Sequence, residues 1–130
     1  MKPLQGATMF GALKEKAVAK ALTLFEEDLR VRVNDKIELF SNLKPGDVRN
    51  DGIYTSLVIS PLWLYVKMQS GGALSALQKI SNVDIEARFR KGLFLIRDEL
   101  VHVDGDSVKL DPNFREKAGP TLIKAFQDAA

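Results

Sequence analysis

The chain has 130 residues, a formal net charge of +2, 45% apolar and 28% charged residues, and no cysteine. Such a length builds one core, expected as a single domain over 1–130, and such a composition belongs to soluble folded chains rather than disordered or fibrous ones. The missing cysteine excludes disulfides, thiolate metal sites and a cysteine nucleophile, and the small net charge gives little field for steering nucleic acid.

The start Met1-Lys2-Pro3-Leu4 lacks the long apolar run of a secretory signal. The longest apolar-rich run, Leu57 to Met68, contains Ser60, Pro61 and Lys67. It is much shorter than the roughly 20 residues needed to span a bilayer as a helix. A cytoplasmic location is the expectation.

Residues 8–27 predict a long amphipathic helix. Phe10, Leu13, Ala17, Val18, Ala21, Leu22 and Phe25 recur at spacings of three and four, and Thr8 is placed to act as N-cap. From Leu29 the period changes to two. Leu29, Val31 and Val33 alternate with Arg30 and Arg32, and Ile37 and Leu39 flank Glu38, predicting two strands joined at Asn34-Asp35. Asn42 to Gly52, with Pro45-Gly46 and Asn50-Asp51-Gly52, reads as a loop.

Ile53–Ile59 and Leu62–Met68 are predicted as strands. In the second, Leu62, Leu64, Val66 and Met68 face one way and Trp63, Tyr65 and Lys67 the other. Gly71-Gly72 breaks the chain before a short helix around Leu74, Leu77 and Ile80. Val83, Ile85, Ala87 and Phe89 alternate with charged residues, and after Lys91-Gly92 a further strand runs from Leu93 to Arg97. Leu100–Val103 and Val108–Leu110 flank Asp104-Gly105-Asp106-Ser107, a strong hairpin signal. Pro120 opens a last helix with Leu122, Ile123 and Phe126 on one face. The expected fold is α+β: a mostly antiparallel sheet of about six to eight strands, with a long N-terminal helix, a short middle helix and a C-terminal helix packed on one face. A faint echo between Asp28–Val33 and Asp84–Phe89, each after a helix, is compatible with duplication of a helix-plus-hairpin unit.

Chemistry-bearing constellations are sparse. His102 is the single histidine and belongs to no triad motif. Asp104, Asp106 and Asp111 lack the order of a calcium loop and read as turn carboxylates. Ser70-Gly71-Gly72 lacks the lysine and spaced glycines of a phosphate cradle. Arg88, Arg90, Lys91 and Arg97 with Phe89 and Phe94 are weak grounds for nucleic-acid binding, since Asp84 and Glu86 offset the arginines and Phe89 falls on an apolar face. No catalytic residue, cofactor or metal is expected.

Two surfaces remain as candidates. Trp63, Tyr65 and Phe94 form the first, as an aromatic ligand or partner surface. Lys14, Lys16 and Lys20 form the second, beside Met9 and Phe10, where positive charge early in a helix opposes its macrodipole and suits contact with an anionic membrane surface or acidic partner. The expected function is a non-enzymatic binding module for an apolar small molecule, lipid or protein segment. The alternatives are a homo-oligomeric or complex-forming interaction domain, or an enzyme without a recognisable local motif.

Overall fold

The computed structural model describes residues 2–81 and 83–128, with side chains from Leu13 onward. The expected six-to-eight-stranded sheet is not there. The described chain is mostly helical, with one two-stranded hairpin. In order, helices α1 (Lys2–Asp35), α2 (Glu38–Ser41), α3 (Pro45–Arg49) and α4 (Asp51–Tyr54) lead into a π-helical segment, Thr55–Ile59. Helices α5 (Ser60–Gln69), α6 (Gly71–Ile80) and α7 (Ile85–Leu100) follow, then β1 (Val101–Asp104), β2 (Ser107–Leu110) and α8 (Phe114–Asp128).

The correction has a common cause. In the predicted strand Leu29–Val33, Leu29 and Val33 are four residues apart, a spacing that satisfies a period of two and a helical turn equally well. In the structure Phe25, Leu29 and Val33 form one buried line, while Val31 is 51% exposed. The predicted strand Leu62–Met68 divides the same way, with Leu62 and Val66 buried and Leu64 and Met68 outside. Predicted strands Val83–Phe89 and Leu93–Arg97 are helical from Ile85 on and merge into α7, whose buried residues Ile85, Phe89, Leu93, Ile96 and Leu100 repeat at three and four. Ile37 lies in the turn before α2 and Glu38 and Leu39 are its first residues, and Ile53–Ile59 belongs to the continuous helical stretch 51–69. The segment read as a loop contains α3, with Pro45 in its first turn. Both halves of the echo are helical, so it does not mark a repeated hairpin unit.

Helix boundaries shift as well. Thr8 lies inside α1 rather than capping it, and Pro120 lies inside α8, which begins at Phe114. The side chains of Met9 and Phe10 lie outside the described residues. Local caps explain other helix starts: the Asn50 carboxamide accepts from Ile53 N at 3.0 Å, and the Asp84 carboxylate accepts from Ala87 N at 3.0 Å.

The core lies where α7 and α8 pack together and α1 crosses α8. Phe25 of α1 meets Phe126 of α8 edge-on at 6.1 Å, and Phe40 of α2 meets Phe114 of α8 at 5.0 Å. Two glycines permit the close crossings. Gly92 of α7 lies against Leu122, and Gly119 of α8 lies against Arg30, where a β-carbon would sit 3.3 Å from the Arg30 Cα. The hairpin appears where expected, with Val101 opposite Leu110 and Asp104 opposite Ser107. Gly105 has φ +61° and Asp106 does not share that sign, which is the pattern of a two-residue turn with glycine first.

Candidate functional site

A helix turns about 100° per residue, so Trp63 and Tyr65, which an extended strand would set side by side, diverge by about 200° on α5. Trp63 packs on Phe89 of α7 with ring centroids 4.9 Å apart. Tyr65 points to the other side, where its hydroxyl donates to Asp35 Oδ2 at 3.0 Å and its ring lies 4.6 Å below the Lys36 ammonium. Phe94 faces Tyr54 at 5.7 Å on a third surface. All three are half-buried in helix contacts and do not converge.

The same geometry separates the lysines. Lys16 and Lys20 are one turn apart on α1, whereas Lys14 is on the other side of the helix. Lys14 lines a groove with Val18 and Leu22, and all three lysines are exposed.

Arg97, which the sequence offered only within a basic, aromatic-interleaved group, forms a polar node with Tyr54, Asp51 and Asp98. Its guanidinium lies 5.2 Å from the Tyr54 ring centroid and 4.9 Å from that of Phe94. It donates to Asp51 Oδ1 at 2.6 Å and to Asp98 Oδ1 at 3.0 Å. The buried Tyr54 hydroxyl donates to Leu93 O at 2.6 Å. Burial pushes the Tyr54 phenol far up. Burial works to lower Arg97, but the Asp51 and Asp98 carboxylates outweigh it and raise it. The node ties the start of α4 to α7.

The hairpin carboxylates are engaged separately. Asp104 pairs with Lys109 at 3.0 Å, and Asp111 accepts from Asn113 N at 2.8 Å and from Lys117 Nζ at 3.3 Å. His102 is exposed on β1. Among the described residues no three His, Cys, Asp or Glu side chains are grouped to hold a metal ion. Ser70 stands at the start of α6 with its hydroxyl buried and, among the described residues, without a hydrogen-bond partner, while its carbonyl accepts from Leu74 N at 2.9 Å.

A concavity with a mainly apolar lining lies between the first half of α1 and the end of α6. It is an open, shallow hollow of about 380 Å³, with Val18, Ala19 and Leu22 forming one wall and Ile80 the other. Lys14, Glu15 and Ser81 supply its polar rim. It exists because α1 outruns the body it packs on: Leu13 is 62% exposed, Val18 and Leu22 are half-buried, and full burial begins at Phe25. The helical periodicity of residues 8–27 was a signal for this wall, but Ile80 joins it only through the packing of α6 on α1. Among the described residues no helix is long and apolar enough to cross a membrane. Compared with protein-family models, curated proteins and solved structures, the chain matches none of them.

Proposed function

We propose that the chain is a non-enzymatic helical binding module whose site is the groove between α1 and α6, and that the occupant is an apolar segment of a protein partner. The supporting observation is the groove itself. About 380 Å³ lies within the range of ligand-binding clefts, and Val18, Leu22 and Ile80 offer a water-exposed apolar lining with charge only at its edge. The groove follows the axis of α1, because Val18 and Leu22 are one helical turn apart, and this suits a row of side chains from a partner helix or strand. Burying that lining against a partner stabilises the complex by about 25 cal/mol per Å² of apolar surface removed from water.

The test uses N-phenyl-1-naphthylamine, a neutral apolar dye, with the full chain. The parent should bind it saturably, and Ala19→Trp, which fills the groove from an exposed position, should abolish binding while leaving the melting temperature unchanged. Equal binding by parent and variant would refute the proposed site. Displacement of bound dye by palmitate would identify a lipid chain, rather than a protein segment, as the occupant.

A further inference from the structure

A second hollow, of about 260 Å³, lies between α5 and α7 on residues apart from the α1–α6 groove. Ser60, Trp63 and Lys67 line it from α5, Glu86 and Arg90 from α7, and buried Ile59 from the end of the π-helical segment. Positions 60, 63 and 67 follow one another at three and four residues and positions 86 and 90 at four, so each helix turns one row toward the hollow. Trp63 is half-buried: it packs on Phe89 with ring centroids 4.9 Å apart, and it also lines the hollow.

The charges around this hollow do not cancel. Arg90 and Glu86 are loosely paired at 3.8 Å, with about half of each side chain exposed. Lys67 has no ion-pair partner among the described residues, and the Ser60 hydroxyl has no hydrogen bond among them. Two cations against one carboxylate leave one positive charge in excess, next to an aromatic wall.

We infer that the hollow binds a small aromatic carboxylate. Its volume is below the roughly 300–1,000 Å³ of pockets for drug-sized ligands and suits a single ring. The Trp63 indole supplies aromatic surface for that ring to pack on. A single carboxylate matches the one excess charge: Lys67 meets it as a point charge, and the planar Arg90 guanidinium, held to Glu86 only loosely, can offer both carboxylate oxygens a donor. A phosphate dianion would bring a second negative charge against Glu86 with no further cation on the lining to offset it. The inference goes beyond the binding of a protein segment in the α1–α6 groove and does not depend on it.

Trp63 is the only tryptophan of the chain, so its fluorescence reads this hollow directly. Titrating the full chain with 4-nitrobenzoate should quench that fluorescence saturably while its lifetime stays unchanged, as in a complex rather than a collision. The neutral 4-nitrobenzamide should bind more weakly. Lys67→Gln should weaken 4-nitrobenzoate binding about 2- to 5-fold, the loss of one exposed ionic contact, and Glu86→Gln should tighten it by a similar factor, because the competing carboxylate is gone and Arg90 is released. Lys67 and Glu86 are exposed, so neither variant should change the circular dichroism. Purely collisional quenching, equal binding of the amide, displacement of 4-nitrobenzoate by an equal concentration of inorganic phosphate, or failure of the two variants to shift affinity in opposite directions would overturn the inference.

Discussion

Gly92 of α7 lies directly against the backbone of Leu122 of α8: a β-carbon at this position would sit 3.1 Å from the Leu122 carbonyl oxygen and 3.2 Å from its Cα. Among the described residues the α7–α8 crossing is the most extensive helix contact of the fold, so its separation is set by the absence of one side chain. Alanine would gain about 1 kcal/mol in helix propensity at this position, but overpacking a core contact costs typically about 1–3 kcal/mol. Gly92→Ala should therefore lower stability in urea titrations. Gly72→Ala, in α6 with open space around it, should raise stability by up to about 1 kcal/mol. Stabilisation by both substitutions would show that α7 and α8 do not pack at this distance.

Leu29 and Val31 distinguish the helix from the strand that alternation suggests, because a strand would put both on one face. In the helix Leu29 is fully buried and Val31 is half exposed. Leu29→Ala should cost about 2–5 kcal/mol, and Val31→Ala should stay within about 0.5 kcal/mol. Comparable losses in denaturant midpoint from the two variants would argue against a helix continuing to Asp35.

Asp111 makes α8 sensitive to acid. The hydrogen bond from Asn113 N, then that from Lys117 Nζ, holds its carboxyl below the ordinary value of 3.8. A depressed acid contributes stability that is fully present above its unfolded value and is lost as pH falls through the lower folded value. Asp111→Ala should accordingly melt below the parent at pH values above 3.8, and the gap should close as the pH is taken further down. A gap that is constant through this range would mean that the carboxylate charge plays no part in holding the turn before α8.

Some of this molecule is legible from residues alone. The hairpin at Asp104–Ser107 can be read from the sequence because its signal is local: Gly105 takes a positive φ that other residues reach only at a cost, with apolar residues on both sides. The α1 periodicity likewise located one wall of the groove. The aromatic trio was not a site in space, because placing Trp63 beside Tyr65 depended on a strand that α5 is not.

The sequence by itself determined which side chains are available for burial, including Phe25, Leu29, Leu62, Phe89, Leu93 and Phe126, and where the tight hairpin turns. Tertiary structure decided the rest. Apolar residues four apart satisfy the period of a strand and of a helix alike, and the choice between them depends on partners distant in the chain. Here Gly92 and Gly119 let helices approach closely enough to cover Leu29, Leu93 and Leu122, and that packing leaves Leu57, Leu64 and Met68 uncovered. Which apolar residues become core and which become surface is a property of the assembled helices, because burial is a relation between segments and each segment's sequence carries only its own half of it.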